Sequence, residues 1–202
     1  MDAGLKFSRL VGALRAGEEL AARVALGQSR LAPEPWMRRA LQAQARQEQR
    51  HAFFAATVET MVGAAPRNPP VLGPLGDRLE TDLKAGNFAA SVLGLQGVLE
   101  HLGEALLERL GRHPHPAGTL LHELRERVLA QERGHTRLGG RCLAAIGTGN
   151  QKQTIADYEG LGLETARAVA GLLDDARIDP EAFWRSVGAQ LASWRRAAGL
   201  LE

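Results

Sequence analysis

The sequence predicts an all-α fold of four long helices followed by two shorter ones. Three observations lead there. Ala, Leu, Arg, Gln and Glu dominate while Thr, Tyr, Phe and Ile are scarce, so helix formers abound and strands have little to be built from. Apolar residues recur at helical spacing over stretches too long for strands. The interruptions are dense in Gly and Pro: "APEP", "GAAPRNPPVLGP", "GRHPHPAG" and, more briefly, "GTGN". At 202 residues, 45% apolar and 24% charged, the chain can bury the core of a single domain, and disorder is excluded as the default.

The first helix spans about Leu5 to Arg30 and stops at "APEP". The second covers about Trp36 to Val62 and ends in the longest loop, which suits the crossover connection of a bundle whose neighbouring helices are not simply up and down. The third is expected over about Gly76 to Leu110, the fourth over about Thr119 to Ile146. The two-helix tail follows at about Thr154–Ala176 and about Pro180–Leu200, the latter opening with proline in its first turn. The bundle thus occupies about residues 5–146 and the tail about 154–200 of one domain.

Composition narrows the function. A single cysteine, Cys142, excludes internal disulfides and zinc-finger frameworks, and reads as a small buried residue. The start, "MDAGLKFSRL", lacks the layout of a secretory signal, and no apolar run approaches a membrane span, so the cytoplasm is the expected location. Net charge is +2, mostly from arginine, which permits nucleic acid or an anionic ligand without demanding either. Arg133, Arg137 and Arg141 form an i, i+4, i+8 stripe that reads as a solvated helix face.

Two pentapeptides carry the chemistry. "QEQRH" (Gln47–His51) and "QERGH" (Gln131–His135) each place a Glu three residues before a His. At 100° per residue, Glu132 and His135 fall inside the apolar stripe of Leu121, Leu124, Val128, Gly139, Cys142 and Ile146. Glu48 and His51 interrupt the stripe of Met37, Leu41, Ala55, Val58 and Val62 in the same way. Glu18 sits within that of Phe7, Leu10, Val11, Leu14, Ala21 and Ala25, whereas Glu19 lies opposite, between Arg15 and Arg23. The third helix is harder to read. Its strongest stripe (Phe88, Val92, Leu95, Leu99, Leu102, Leu106) holds no carboxylate, a second (Ala89, Leu93, Leu107) holds Glu100, and Glu104 is the reserve.

Burying one unpaired carboxylate costs several kcal/mol, and four together cost far more. No arginine lies on these inner stripes, so two divalent cations are the natural counter-charge, with both imidazoles as neutral ligands. Gln47 and Gln131, each four residues before a His, could orient the rings. His101 points elsewhere, and His113 and His115 belong to a loop. Gly94, Gly97, Gly103 and Gly139 make room either for a substrate or for close helix packing.

The order of Glu18, Glu48-x-x-His51, Glu100 and Glu132-x-x-His135 resembles the ferritin-like di-iron carboxylate superfamily over about residues 5–146. Size and spacing are most similar to its small bacterial oxygen-activating members: tRNA-modifying hydroxylases, demethoxyubiquinone hydroxylases and aldehyde-deformylating oxygenases. The resemblance implies a ferritin-like four-helix bundle, and the two additional C-terminal helices lie outside it. It implies two iron ions, although these ligands would also accept manganese. It further implies O2 as a reactant, an external electron donor, a hydroxylase-type oxidoreductase, and compatibility with a homodimer. The substrate is left open between tRNA, suggested by the basic charge, and a lipid-like molecule, suggested by the Leu-rich third helix. The alternatives are a ferroxidase or other iron-handling protein, or a metal-stabilised bundle without catalysis. A storage cage needs an acidic inner surface, which this basic chain fits poorly. The lone tyrosine, Tyr158, lies beyond the bundle, against a stored tyrosyl radical.

Overall fold

The computed structural model describes residues 3–61, 70–110, 118–147, 151–173 and 179–197, with no strand among them. His113 and His115 lie outside these residues, as does Val62, and the side chains of Phe7, Leu121 and Leu124 are not described. Helix α1 (Ala3–Leu31) turns through a short break into α2 (Pro35–Met61), whose proline at the first position needs no backbone N–H. These two helices form an antiparallel pair with extensive contact, Glu18 on one facing His51 on the other.

The third segment departs from the sequence expectation. A single helix from about Gly76 is replaced by α3 (Gly73–Lys84), a break, and a new helical rod beginning at Phe88. The break has a local cause: Gly86 takes φ +71°, a left-handed conformation that glycine adopts freely. Asn87 then caps the next helix by accepting the Ala90 N–H at 3.2 Å. Within "GAAPRNPPVLGP", Pro70–Leu72 forms a 3₁₀ turn leading into α3.

The rod consists of α4 (Phe88–Gly94), a π-helical turn (Leu95–Leu99) and α5 (Glu100–Leu110). Every residue from Ala90 to Leu102 is buried. It is the central helix, buried on all sides because its neighbours surround it. The π turn explains why two stripes compete in the sequence. The Glu100 N–H bonds the Leu95 carbonyl five residues back, which inserts extra backbone and rotates the downstream residues out of α-helical phase.

Helix α6 (Gly118–Ile146) completes the bundle. It runs antiparallel to α2, since Gln47 meets His135 and His51 meets Gln131, and antiparallel to α5, since Glu104 and Glu100 meet Arg133 and His135. Helix α2 and the rod therefore point the same way, and the connection between them must cross over, as expected. Helices α7 (Lys152–Leu173) and α8 (Pro180–Ala197) are integral to the core: Tyr158, Phe183, Val187 and Leu191 are buried. Tyr158 donates its hydroxyl to Asp82 at 2.6 Å, and Arg195 holds both oxygens of Glu159 at 3.0 Å. The glycines divide by use. A side chain at Gly94 would overlap the Tyr158 ring, one at Gly97 the Trp194 ring and one at Gly139 the Gln96 side chain, so these three serve close packing.

Candidate metal centre

The six side chains singled out by helical phase converge midway along the bundle, all buried: Glu18 from α1, Glu48 and His51 from α2, Glu100 from α5, Glu132 and His135 from α6. They form two groups, Glu18–Glu48–His51–Glu132 and Glu48–Glu100–His135, in each of which one donor atom per residue lies within 4.8 Å of the others. Both histidines present Nδ1 inward. His51 Nδ1 is 3.1 Å from Glu48 Oε2, 3.3 Å from Glu18 Oε2 and 3.4 Å from Glu132 Oε1. His135 Nδ1 is 2.8 Å from Glu48 Oε1, 3.4 Å from Glu100 Oε2 and 3.9 Å from Glu132 Oε2. Glu48 and Glu132 thus each span both imidazoles, whose ring centres are 6.5 Å apart, while Glu18 attends His51 and Glu100 attends His135.

The glutamines of the duplicated motif act across the bundle rather than along their own helix. His51 Nε2 meets Gln131 Oε1 at 2.6 Å, and His135 Nε2 meets Gln47 Oε1 at 2.8 Å. A carbonyl oxygen only accepts, so Nε2 carries the proton and, in the neutral ring, the Nδ1 lone pair points at the carboxylates. Spacing alone cannot reveal this exchange, because sequence shows only that each Gln lies four residues from its own His.

A second set of buried amides went unread in the sequence. Gln44 Nε2 donates to Glu100 Oε1 at 2.6 Å, Gln96 Nε2 donates to Gln44 Oε1 and Gln28 Oε1 at 2.9 Å, and Gln28 Nε2 donates back to Gln96 at 3.2 Å. Gln44 lies one turn before Glu48, and the phase test that singles out Glu48 would have found it. The reserve candidate, Glu104, bonds Arg133 at 2.8 Å and faces away from the cluster. His101 packs its ring 6.1 Å from that of Trp194, and Cys142 is buried, which pushes its thiol up to about 11. The arginine stripe of α6 is split: Arg133 pairs with Glu104 and Glu108, and Arg141 lies over the Trp36 ring.

Electrostatics shows what the cluster lacks. No lysine or arginine forms an ion pair with any of the six among the described residues. Burial and then the charge of Glu132 hold Glu18 and Glu100 well above the usual carboxylate range. Burial acts the same way on Glu48 and Glu132, but the imidazoles draw Glu48 below that range, and Glu100 followed by the imidazoles draws Glu132 below it. Burial opposes charge on His51, yet Glu132, Glu18 and Glu48 push it up to about 12, and His135 is raised likewise, chiefly by Glu100. Without metal, protons must stand in as the counter-charge. Glu48 Oε1 and Glu132 Oε1 are buried and accept no hydrogen bond, although an imidazole Nδ1 lies 2.8 Å from the first and 3.4 Å from the second. Close approach without hydrogen-bond alignment suits donor atoms grouped around a shared cation. Oxygen and imidazole donors of this kind can hold iron, manganese or zinc.

A narrow cavity of about 50 Å³ reaches this cluster. Ala13, Leu14, Leu72, Leu106, Val169 and Phe183 are among its apolar lining, and Glu18, Glu100 and Glu132 lie at its polar end. Gly103 lines it too, and a side chain there would meet nothing within 4 Å.

No protein-family model and no curated protein matches the sequence. Among solved structures, Protein 19 with aldehyde deformylating oxidase activity from Synechococcus is similar at a TM-score of 0.88 and 19% identity, covering 100% of this chain and 93% of that one. The fold is ferritin-like. In this ferritin-like bundle the two motif-bearing helices, α2 and α6, adjoin across the His–Gln exchanges, and no helix of the described residues is long and apolar enough to cross a membrane.

Proposed function

We propose that the chain is an O2-activating di-iron oxidoreductase acting on an aliphatic substrate. Glu18, Glu48, His51, Glu100, Glu132 and His135 hold two iron ions. Glu48 and Glu132, each within reach of both imidazoles, would serve both ions, Glu18 with His51 would complete one position, and Glu100 with His135 the other. The observation that carries this reading is the buried donor set itself: four carboxylates with no cationic side chain, two imidazoles aimed inward, and an apolar cavity ending on three of the glutamates. Two ferrous ions there would supply two electrons to O2, one from each ion. The chain's own residues do the rest. Gln131 and Gln47 keep the imidazoles in the tautomer that presents Nδ1, and Gln44 restrains Glu100.

The cavity supports a lipid-like substrate over tRNA. Its walls are mostly aliphatic, with Phe183 and Thr165 among them, no Lys or Arg lines it, and Glu18, Glu100 and Glu132 supply its carboxylates. An alkyl chain entering along these apolar walls would widen the narrow cavity and bring an oxygenated head to the carboxylates. The aldehyde deformylating oxidase activity named for the similar Synechococcus protein makes a fatty aldehyde the first substrate to try. A hydroxylation would consume one O2, two electrons and two protons, placing one oxygen atom in product and one in water.

The test is incubation of iron-loaded protein with a medium-chain aldehyde, a chemical reductant and ¹⁸O2. Product formation, labelled wherever oxygen is inserted, is the expected outcome, and Leu106→Trp should suppress it by blocking the cavity while leaving iron content unchanged. Iron uptake and oxidation continuing far beyond two per chain, with no organic product, would replace this reading with an iron-handling one.

A further inference from the structure

The bundle leaves one face uncovered by the later helices. Helices α3, α7 and α8 pack against α1, the π turn and α5, whereas α2 is covered chiefly by α1 on one flank and α6 on the other. Along α2 the exposed ionic side chains are Arg38, Arg39, Arg46 and Arg50, all basic, because its only acids, Glu48 and Glu59, are buried. Exposed Arg127 and Arg137 extend the charge onto α6. None of these six arginines forms an ion pair among the described residues. Beside them lies an apolar patch: Phe53 is 69% exposed, Phe54 40% and Met61 74%, with the two phenylalanine rings edge to face at 6.2 Å.

This face lies over the histidines. The antiparallel register set by Gln47–His135 and His51–Gln131 puts Phe54 of α2 level with Arg127 of α6. Between solvent and each inward Nδ1 stand one half-buried glutamine amide and one imidazole. The aliphatic cavity approaches from elsewhere, and no residue of α2 lines it.

We propose that this face, centred on Arg46, Arg50, Phe54 and Arg127, docks an acidic one-electron carrier protein that reduces the metal pair through the two His–Gln contacts. The inference rests on the di-iron reading above. Each encounter would pass one electron, oxidising the carrier by one and reducing one bound ferric ion to ferrous, so two encounters would balance the two electrons the ferrous pair supplies. Charge complementarity selects the occupant, and a small apolar centre ringed by charge is the composition of a transient protein interface. A second copy across a two-fold axis would set arginines against arginines. A nucleic acid would meet the arginines, yet the route inward here is closed by amides and imidazoles and admits no base.

The test uses protein as isolated, its metal content measured on the same sample, with a reduced acidic [2Fe–2S] ferredoxin as the probe. Titration calorimetry should detect a complex that weakens steeply with salt. The double variant Arg46→Glu/Arg50→Glu should slow association about tenfold or more, and Phe54→Ser should speed dissociation. Arg185→Glu, an exposed arginine on α8, should change neither. Dithionite should reduce iron in all variants at one common rate. The proposal falls if charge reversal leaves the dissociation constant within about twofold, or if Arg185→Glu weakens the complex equally. Displacement of the ferredoxin by substoichiometric tRNA would also overturn it, as would a dimer that Phe54→Ser dissociates. Complex formation and metal content are read separately, so loss of either leaves the other standing.

Discussion

Glu18 on α1 and Glu100 on α5 occupy matching places in the two halves of the bundle, each beside a histidine carried by another helix, yet only Glu100 is held by an amide. Gln44 donates to Glu100 Oε1, Gln96 braces Gln44, and Gln28 braces Gln96, all essentially inaccessible to solvent. Among the described residues, Glu18 has His51 as its only hydrogen-bond partner. The π turn falls on the Glu100 side as well, ending where that residue begins. A duplicated motif therefore need not build two equal positions: one carboxylate keeps both oxygens available, and the other is left with one.

The largest expected effect breaks both halves at once. Glu48 and Glu132 each span both imidazoles, so Glu48→Ala or Glu132→Ala should abolish binding of both ions, whereas Glu18→Ala or Glu100→Ala should remove one. Metal analysis after desalting distinguishes two, one and none. Gln44→Leu should separate the halves more gently, weakening the Glu100–His135 position by about 10- to 100-fold and sparing the other. Gln131→Ala should weaken the position of His51, on the opposite motif, and Gln47→Ala that of His135. Stepwise Co(II) titration followed by visible absorption resolves the two positions.

A smaller effect concerns pH. In metal-free protein His51 titrates near 12 against 6.5 for an ordinary histidine, so its stabilisation is complete below about 6.5 and is lost as pH climbs toward 12. His135 acts in the same direction, as do Glu18 and Glu100, which stay protonated where unfolded carboxyls have ionised. Thermal unfolding of metal-free protein should therefore shift to lower temperature between pH 6 and pH 9. Loaded protein should escape this trend, and loading at pH 7 should release at least the two imidazolium protons. The smallest effect tests the brace on Gln96. Gly139→Ala places a methyl against that side chain and should cost about 1–3 kcal/mol. Gly140→Ala next to it meets nothing within 4 Å and should gain up to about 1 kcal/mol of helix propensity, both read by denaturant melts.

What was legible in the sequence follows from how far helical phase reaches. Glu18, Glu48, His51, Glu132 and His135 lie on regular α-helices, where 100° per residue holds and a charged residue on an apolar stripe is conspicuous. Glu100 was ambiguous because the π turn shifts the phase just before it. The sequence marks the break only by the dipeptide Gly86-Asn87, which the apolar spacing on both sides masks; the left-handed φ and the cap are visible only in the fold. The exchange of glutamines between motifs, the Gln28–Gln96–Gln44 brace and the aliphatic cavity depend on which helices adjoin, which the periodicity of one helix does not encode.

The most direct measurement is an anaerobic Fe(II) titration of metal-free wild-type protein beside Glu18→Ala and the adjacent Glu19→Ala. Two ions per chain in wild type and Glu19→Ala, with one in Glu18→Ala, is the predicted result. Equal iron content in all three, or no tight binding in any, would contradict the assignment of the buried cluster as a two-metal centre.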